Sequence, residues 1–557
     1  MITNDEIAAQ FSLLAKLMDI HGENAFKAKS YAAAAFSIDK LPTPLAEMDR
    51  NAIFSVKGIG ESAGKRILEI LDTGQFTTLN EMVQKTPPGI LEMLSIKGIG
   101  PKKIATIWKE LEIETLGELL YACNENRLTL YKGFGEKTQQ NIKEAIEFYM
   151  GSMGRYLYQQ VEELQMELEK ILCHSLPYQF VQTGEFRRQL EIIDSIDWVT
   201  NAKAEALNPF MQGIGFTINN QQDDRLSFCN EKNIRVQFWL ADEAKIPAVL
   251  FRTSCSELFL NTWSETFGWD ETKSYTEERS IFEQAGCPFI PAYMREDAEI
   301  ITLAKQDKIT PTLTEKDIKG IIHSHSTWSD GGNTIQQMAE AAIKDGLEYL
   351  VISDHSKSAF YANGLSIERV LQQHQEINQL NQTLAPFKIF KSIESDILND
   401  GSLDYPDEIL AQFDLVIASV HSNLKMNEEK ANARVIKAIE NKFTNILGHP
   451  TGRLLLSRAG YPIDHEKIID ACAANGVVIE LNAHPRRLDL DWRWIRRALQ
   501  KNVLISINPD AHTIDGFKDC KYGVLVAQKA GLTPSRNLSS YSILQLETFI
   551  REQKQKH

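Results

Sequence analysis

Short apolar runs and amphipathic stretches alternate over residues 316–510, and this alternation predicts strands and helices in turn. The apolar runs are KGIIH, EYLVIS, FKIFKSI, DLVIASV, NILG, GVVIEL and VLISIN, and helical patterns such as TIQQMAEAAIKDG and EKANARVIKAIEN separate them. Because strands that alternate with helices form parallel sheets, seven such units predict a closed or nearly closed β/α barrel. In such barrels the active-site residues lie at the carboxyl ends of the strands.

The first 150 residues show helical periodicity instead, for example in NAFKAKSYAAAAFSIDKL and TLGELLYACNENRLTLYKGF. Within them a five-residue pattern occurs three times, as VKGIG at 56–60, IKGIG at 96–100 and YKGFG at 131–135, each time before a helical stretch. Paired glycines permit a tight turn with positive φ, and the helix that follows offers free N–H groups to an anion. The alternative is a plain turn between helices, which three copies with the same lysine argue against.

This repeated pattern resembles the helix-hairpin-helix motif, which holds a DNA backbone without reading its sequence. The resemblance implies DNA contacts from the lysine and the two glycines of each copy. These residues are Lys57, Gly58, Gly60, Lys97, Gly98, Gly100, Lys132, Gly133 and Gly135.

Composition places the chain among ordinary globular proteins. It has 557 residues, of which 43% are hydrophobic and 24% charged, and its net charge of −15 argues against a bulk electrostatic grip on nucleic acid. No stretch approaches the ~20 apolar residues of a membrane helix, and the acidic, amphipathic N-terminus argues against a signal peptide. The seven cysteines are scattered and lack a C-x-x-C spacing, so we expect a cytoplasmic monomer with reduced thiols and no membrane partner.

Six histidines and three carboxylates follow the predicted barrel strands at or near their ends. Ten of the twelve histidines lie after residue 315, so the clustering is not a compositional accident. A single buried histidine is more often structural, but six at equivalent strand ends, with carboxylates, predict two or three divalent metal ions. The predicted ligands are His323, His325, Asp330, His355, Glu394, His421, His449, Asp510 and His512.

The segments around these ligands resemble the motifs of the PHP (polymerase and histidinol phosphatase) family. They read HSHSTWSDGG, SDHS, IESD, SVHS, GHP and NPDAH. The resemblance covers residues 316–557 and implies a metal-dependent phosphoesterase with three metals. It assigns His323, His325, Glu394 and Asp510 to one metal, Glu394, His421 and His449 to a second, and Asp330, His355 and His512 to a third. Mn²⁺ is our first expectation for this mixed set of nitrogen and oxygen ligands, and Zn²⁺ or Fe²⁺ also suits it.

The order of parts along the whole chain resembles bacterial family X DNA polymerases that carry a C-terminal PHP domain. TGEFRR at 183–188 and EIIDSID at 191–197 lie where that family has G-S-x-R-R and G-D-x-D, and FIPAYMRE at 289–296 resembles I-P-P-E-L-R-E. The resemblance implies a multidomain fold. An all-α region has helix-hairpin-helix domains at 1–83 (lyase-like) and 84–150 (fingers-like), an α+β palm and thumb occupies 151–315, and an α/β distorted (β/α)7 PHP barrel occupies 316–557.

The predicted polymerase site departs from the family pattern. Gly184 and Asp197 are retained, but Glu185 replaces the motif's serine, and Ser195 and Gln237 occupy the positions of two carboxylates. Nucleotidyl transfer needs carboxylates that converge on two metals, so we expect polymerase activity to be lost. The family's lyase lysine aligns with Arg66, whose guanidinium is a poor nucleophile, and lyase activity stays open through the neighbouring Lys65.

Other polar and aromatic residues after the barrel strands are candidates for substrate contacts. Arg453 and the pair Arg486-Arg487 could clamp a phosphate, the alternative being a solvated barrel rim. Trp328 could stack on a terminal base, and Asp354 and Asp396 could orient ligands. We assign catalytic roles to His323, His325, Glu394, Asp510 and Arg453.

The expected function is a DNA-repair phosphoesterase that acts on gapped, nicked or 3′-blocked DNA. Its reactions would be 3′→5′ exonuclease or 3′-phosphate removal, with cleavage at abasic sites as a further activity. One alternative is a small-molecule phosphatase of the histidinol-phosphate type, which three DNA-binding hairpins argue against. The other is a non-catalytic DNA-binding scaffold, which the full set of nine ligands argues against.

Overall fold

The computed structural model describes residues 2–39, 41, 43–96, 98–151 and 154–555. The chain divides into two compact units, one of residues 1–124 and 128–147 and one of residues 125–127 and 148–557. The predicted helix-hairpin-helix domains therefore share the first unit, and the predicted palm, thumb and barrel share the second. The bounds of the four predicted domains stay predictions.

The first unit is helical, as predicted. Thr3 begins its first helix with a capping box to Glu6, and Gly22 ends that helix in the left-handed conformation. The helices are α1 (Asn4–His21), α2 (Ala25–Asp39), α3 (Arg50–Ile53), α4 (Glu61–Thr73), α5 (Thr77–Gln84), α6 (Pro88–Met93), α7 (Pro101–Lys109), α8 (Leu116–Asn124) and α9 (Glu136–Gly151).

The middle region mixes helices with a five-stranded sheet of order β2-β4-β7-β6-β5, consistent with the α+β prediction. Buried Trp198, Phe228 and Phe238 fill one face of the sheet. The strands are β1 (Tyr156–Leu157), β2 (Phe180–Thr183), β3 (Ile192–Ile193), β4 (Ile196–Thr200), β5 (Thr217–Gln222), β6 (Arg225–Cys229) and β7 (Arg235–Leu240). The helices are α10 (Tyr158–Ser175), α11 (Gly184–Arg187), α12 (Ala204–Gly213), α13 (Ile246–Thr253), α14 (Glu257–Phe267), α15 (Glu278–Gln284) and α16 (Glu299–Lys305).

The C-terminal region forms the predicted barrel. All seven apolar runs become strands, which pair in parallel and in sequence order: β8 (Gly320–Ile321), β9 (Tyr349–Ile352), β10 (Lys388–Asp396), β11 (Leu415–Ser419), β12 (Ile446–Leu447), β13 (Val478–Asn482) and β14 (Ile505–Asn508). The helices are α17 (Ile335–Lys344), α18 (Ile367–Thr383), α19 (Asp407–Leu410), α20 (Glu428–Ile439), α21 (His465–Asn475), α22 (Trp492–Gln500), α23 (Cys520–Lys529) and α24 (Ile543–Gln555). The strands are rich in buried apolar residues because both of their faces are covered.

The barrel is nearly closed by a bridge between the first and last strands. Ser324 pairs with Ala511 in parallel, and the N–H of His325 donates to the carbonyl of Ala511 at 2.8 Å. Ser324 lies between the predicted ligands His323 and His325, and Ala511 lies between Asp510 and His512. The bridge therefore brings together the predicted ligands from the two ends of the barrel sequence.

Ion pairs connect the barrel to the middle region within the second unit. Arg496 of α22 lies 3.0 Å from Asp297, and the buried ammonium of Lys529 donates to the carbonyl of Arg188 at 2.8 Å. Among the described residues, no helix combines the length and apolar character that a membrane span requires.

Candidate metal centre

All nine predicted ligands lie together at the carboxyl ends of the barrel strands. Eight of them are buried and His421 is half-buried. Glu394 lies within β10 rather than after it, because that strand continues to Asp396. The structure therefore places the predicted ligands in one polar cluster inside an apolar barrel.

Glu394 is the central carboxylate of the cluster. Its Oε1 lies 2.9 Å from His449 Nε2 and 3.0 Å from His421 Nε2, and its Oε2 lies 3.0 Å from His355 Nδ1. Burial alone would raise the pKa of Glu394, but the charges of His421, His323 and His355 hold this pKa well below its usual value. The carboxylate is therefore ionised and suited to bridge two cations.

Two further groups surround Asp330 and Asp510. His512 Nε2 lies 3.4 Å from Asp330 Oδ1, and His355 Nε2 lies 3.6 Å from Asp330 Oδ2. Asp510 Oδ1 lies 3.0 Å from His325 Nε2. Three sets within the cluster have ligand atoms close enough to hold one ion: His325, Asp330, His355 and His512; His323, His325 and Asp510; and His355, Glu394 and His421.

Many buried atoms of the cluster have no hydrogen-bond partner among the described residues. A buried polar atom without a partner destabilises the folded state by about 1–3 kcal/mol. The unpaired atoms here can donate an electron pair, so a bound cation would remove this penalty. They are His323 Nε2, His325 Nδ1, Asp330 Oδ2, both ring nitrogens of His355, Glu394 Oε2, His449 Nδ1 and His512 Nε2. The residues thus fit a divalent metal centre, whose metal identity their chemistry leaves open.

Glu480 is a functional residue that the sequence analysis missed. It lies buried on β13, where its Oε2 accepts hydrogen bonds from His323 Nδ1 at 2.6 Å and Asn508 Nδ2 at 2.8 Å, and its Oε1 accepts from the N–H of His449 at 3.0 Å. A carboxylate on the far nitrogen of a ligating histidine fixes the tautomer and the ring orientation. The available signal was an acidic residue within the apolar run GVVIEL.

The two predicted orienting aspartates act differently from each other. Asp396 Oδ1 lies 2.6 Å from His421 Nδ1, so Asp396 contacts a ligand as expected. Asp354 instead accepts hydrogen bonds from Ser326 and Ser329, and it fixes the loop after β8 without contacting a predicted ligand by hydrogen bond.

Two of the predicted ligands have an unusual backbone conformation. His323 has φ 65° and Asp510 has φ 53°, in the left-handed region that side chains with a Cβ disfavour by about 1–2 kcal/mol. These residues flank the bridge between Ser324 and Ala511. We attribute the persistence of this strain to the closing hydrogen bonds, which fix the backbone on both sides.

The arginines predicted to contact a phosphate do not all lie where the sequence analysis expected. Arg453 donates through Nε to the carbonyl of Arg487 at 2.9 Å and through Nη1 to Asp491 at 2.6 Å, so it holds the loop after β13 instead of facing the cluster. Arg487 is buried, with Nε 3.8 Å from Asp510 Oδ2, so its guanidinium lies beside the cluster. We therefore do not retain Arg453 as a catalytic residue. The buried Arg486 stays a candidate.

Trp328 is also committed to other contacts. Its indole N–H donates to Glu376 at 2.8 Å, and the guanidinium of Arg369 lies 5.8 Å from its ring. Because the ring is partly buried against the core, we do not retain it as a base-stacking residue.

Two residues from a loop early in the chain also contact predicted ligands of the cluster. Residues 125–127 belong to the second compact unit. Within that unit Glu125 pairs with His512 Nδ1, and Arg127 Nε lies 3.5 Å from Asp330 Oδ2. These contacts could not be predicted from the sequence, because the barrel motifs lie far from this loop along the chain.

In the middle region the retained Asp197 faces an amide. β4 and β7 are parallel, with Asp197 and Gln237 in register, and Gln237 Nε2 donates to Asp197 Oδ2 at 3.3 Å. Gly184 packs so closely on Asp197 that a Cβ at position 184 would lie 2.7 Å from Oδ2. Burial raises the pKa of Asp197.

Two other acids near Asp197 have contacts with other groups. The Glu185 carboxylate accepts a hydrogen bond from the N–H of Asp194 at 2.6 Å, and the Asp194 side chain pairs with Arg155 at 3.0 Å. Ser195 lies before β4, so Asp197 is the acid that remains at this position of the sheet.

The three repeated hairpins have one common geometry. The first glycines, Gly58, Gly98 and Gly133, have φ of 92°, 93° and 95°, and the apolar residue after each is buried. Gly60 and Gly100 begin α4 and α7 without a side-chain cap, so N–H groups stay available to an anion, and Gly135 precedes α9. Lys57 and Lys132 are exposed, whereas Lys97 lies outside the described residues.

The candidate lyase residues are both engaged in ion pairs. Lys65 Nζ lies 2.7 Å from Glu61, and Arg66 Nη1 lies 2.6 Å from Glu69. These pairs lie on the surface of α4 and do not form a buried amine site.

Comparisons with known proteins find helix-hairpin-helix and PHP domains in this chain. A helix-hairpin-helix domain matches residues 2–76, a SAM-like helix-hairpin-helix tandem matches residues 90–147, and a PHP domain matches residues 322–484. The DNA polymerase/3′-5′ exonuclease PolX of Bacillus subtilis is 34% identical over 98% of this chain and 99% of its own length. A protein of Thermoanaerobacter sp. named "Probable phosphatase" is 27% identical over 42% of this chain and 95% of its own length. A protein of the same description from Acetivibrio thermocellus is 32% identical over 29% of this chain and 64% of its own length.

Proposed function

This chain belongs to the PolX family of family X DNA polymerases with helix-hairpin-helix domains and a C-terminal PHP domain. From that premise we propose that it is a metal-dependent 3′→5′ exonuclease whose polymerase centre is inactive. One observation carries the proposal: several buried nitrogen and oxygen atoms of the barrel cluster lack hydrogen-bond partners among the described residues. The family and the PHP domain support a hydrolase that processes DNA. The exonuclease activity and the loss of polymerase activity are our proposals.

The residues of the cluster hold and orient the reacting groups. Bound divalent metals would supply a water of lowered pKa and neutralise the charge of a phosphodiester. We propose the nine predicted residues as ligands that would hold the metals, with Glu394 at their centre because its carboxylate lies within 3.0 Å of three imidazoles. Glu480 and Asp396 hold the rings of His323 and His421 in the ligating orientation.

Arg487 supplies a fixed positive charge beside this centre. Its Nε lies 3.8 Å from Asp510 Oδ2, and its side chain is almost fully buried. A guanidinium with little access to water neutralises a nonbridging phosphate oxygen more strongly than an exposed one does. We propose this contact in place of the one expected from Arg453.

DNA is the substrate that the first unit favours. Its hairpins present exposed glycine turns before three helices, which suits backbone phosphates. With a net charge of −15, binding rests on these local contacts and is sensitive to salt. We propose gapped, nicked or 3′-blocked DNA as the physiological form, with 3′-phosphate removal and abasic-site cleavage as further reactions of the same cluster.

Silence of the polymerase centre rests on Asp197. One carboxylate that is hydrogen-bonded to Gln237 cannot hold the two metal ions of nucleotidyl transfer. Burial also favours the neutral form of Asp197, which weakens its binding of any cation.

The test uses the full-length protein with Mn²⁺, a 5′-labelled primer–template, and the same DNA with all four dNTPs. We expect the primer to shorten, and Asp510→Asn to lower the rate at least about 100-fold because Asp510 carries charge to the cluster. Asp515→Asn is the matched control, since Asp515 lies on the surface of the same domain and pairs with Lys518. Extension of the primer would contradict the silent palm, and shortening that persists in Asp510→Asn would contradict the assignment to the barrel.

A small-molecule phosphatase is the second candidate. Two relatives named "Probable phosphatase" are similar to this chain over only 42% and 29% of its length, and a PHP domain matches residues 322–484, which favours this candidate. Histidinol phosphate is therefore a third substrate in the same assay. Its hydrolysis without any shortening of DNA would support the second candidate over the first.

A further inference from the structure

The loop between β9 and α18 carries two adjacent aromatic residues that the proposed reaction does not use. Phe360 is 88% exposed, although it is a large apolar side chain. The hydroxyl of its neighbour Tyr361 is buried and has no hydrogen-bond partner among the described residues. An exposed ring next to a buried, unpaired donor is an unfavourable arrangement for a loop that binds nothing.

Tyr361 lies against the cluster of predicted metal ligands. Its ring centroid is 6.3 Å from that of His355, and within the second unit the guanidinium of Arg127 lies 4.9 Å from the same ring. A phenolic hydroxyl keeps its proton at neutral pH, so the unpaired Tyr361 hydroxyl can act as a hydrogen-bond donor.

The loop is held in place by its own hydrogen bonds. The N–H of Leu365 donates to the carbonyl of His355 at 2.9 Å, and the Asn363 amide donates to the carbonyl of Ser329 at 3.2 Å. Gly364 packs so tightly that a Cβ there would lie 1.9 Å from the carbonyl oxygen of Ser356. Phe360 and Tyr361 are thus presented by a fixed turn that begins at the predicted ligand His355.

We propose that Phe360 and Tyr361 form a subsite for one terminal nucleotide, in which the Tyr361 hydroxyl donates to a phosphate oxygen and the Phe360 ring stacks on the base. This inference rests on the proposed function and specifies its substrate. A phosphate at the cluster brings an acceptor to the unpaired hydroxyl, and the attached nucleoside brings a flat π-face to the exposed ring. Stacking of a base on an aromatic side chain contributes about 1–3 kcal/mol and tolerates any base.

The binding test separates the two residues with two probes. Inorganic phosphate and dTMP are titrated by calorimetry into the Mn²⁺-loaded full-length protein. Tyr361→Phe should weaken both probes about 10-fold, because it removes a hydrogen bond to a charged group. Phe360→Ala should weaken dTMP about 10-fold and leave phosphate unchanged, because inorganic phosphate has no base to stack.

Matched controls remove the same groups elsewhere in the second unit. Tyr522→Phe removes a hydroxyl that donates to Glu162 at 3.0 Å, and Leu544→Ala removes an apolar side chain that is 71% exposed on α24. Both controls should bind the two probes as the wild type does, and all four variants should retain the wild-type Mn²⁺ content and circular dichroism spectrum. Equal affinity of wild type and Tyr361→Phe for phosphate overturns the role of the hydroxyl. Unchanged affinity of Phe360→Ala for dTMP, or an equal loss for both probes, overturns the stacking.

Turnover of DNA distinguishes this inference from the proposed function. With a single-stranded oligonucleotide, Phe360→Ala should raise KM about 10-fold with little change in kcat, which identifies the DNA end as the source of the nucleotide. If the variants change dTMP binding as stated but wild type does not shorten DNA, the exonuclease proposal fails and the nucleotide subsite stands. If wild type shortens DNA and the variants behave as wild type in both assays, the exonuclease stands and the subsite is wrong.

Discussion

Glu480 accepts a hydrogen bond from His323 Nδ1 at 2.6 Å, and this contact leaves Nε2 of the ring facing the metal cluster. The same carboxylate accepts from Asn508 and from the N–H of His449. One acid on β13 therefore orients a predicted ligand that follows β8 and the backbone of a predicted ligand that follows β12. Distant parts of the barrel sequence share one buried acceptor.

The first prediction follows from this shared acceptor. Glu480→Gln keeps the shape of the side chain but places an NH₂ group against N–H donors, so it should lower Mn²⁺ affinity about 10–100-fold. The measurement is Mn²⁺ titration of the metal-free protein by calorimetry. Glu480→Asp should recover part of the affinity, and unchanged affinity in Glu480→Gln would show that Glu480 does not tune the site.

The second prediction concerns pH. Burial, followed by the charge of Glu125, raises the pKa of Asp519 to about 7, so the folded state favours the protonated acid. The unfolded state loses this proton near pH 4, and wild-type stability therefore falls as pH rises from about 4 to about 7, with the full penalty present above pH 7. Asp519→Asn has no such penalty and should gain on the order of 2 kcal/mol over wild type between pH 5 and pH 8.

Urea denaturation at the two pH values measures this difference. Asp515→Asn, at an exposed acid of the same turn that pairs with Lys518, is the control and should show no comparable change. A constant difference between Asp519→Asn and wild type across this range would contradict the raised pKa.

The third prediction concerns the palm. The double variant Ser195→Asp with Gln237→Asp adds two carboxylates beside Asp197, which is in register with position 237. Their repulsion should lower Tm without metal, by roughly 2–4 °C for each kcal/mol lost, and Mg²⁺ should restore it. Wild type and the uncharged double variant Ser195→Asn with Gln237→Asn should show no such recovery, and its absence from the aspartate variant would mean that the palm geometry cannot hold a metal.

The fourth prediction compares two hairpin glycines. Gly58 and Gly133 both have positive φ, so alanine strains either turn by about 1–2 kcal/mol. A Cβ at Gly58 would also lie 2.1 Å from Ser37 Oγ, whereas no described atom lies within 4 Å of one at Gly133. Gly58→Ala should therefore lower Tm more than Gly133→Ala does.

DNA binding tests the same pair of variants functionally. Loss of one phosphate contact reduces the slope of log affinity against log salt by about one. We expect that change in Gly133→Ala, measured by fluorescence anisotropy at several salt concentrations. An unaltered slope and affinity would remove the third hairpin from the DNA-binding surface.

Much of the fold and the cluster could be predicted from the sequence because the signals are local. Each barrel strand overlaps one of the predicted apolar runs, and the predicted ligands lie near the carboxyl ends of these strands, as His355 follows β9. The hairpin turns at Gly58, Gly98 and Gly133 each lie within five residues of sequence. Parallel strands bring their carboxyl ends to one edge, so order along the chain was enough to bring the ligands together.

What the sequence could not determine depends on register and on side-chain direction. Glu480 supports His323 across 157 positions of the chain, Arg453 turns to Asp491, and the Tyr361 hydroxyl ends beside the cluster without a partner. The pairing of Asp197 with Gln237 likewise follows from the alignment of two strands 40 residues apart. Residue type and spacing along the chain predicted the metal ligands, but only packing in three dimensions decided which polar atoms are hydrogen-bonded and which are not, because these contacts depend on distances between residues far apart in the sequence.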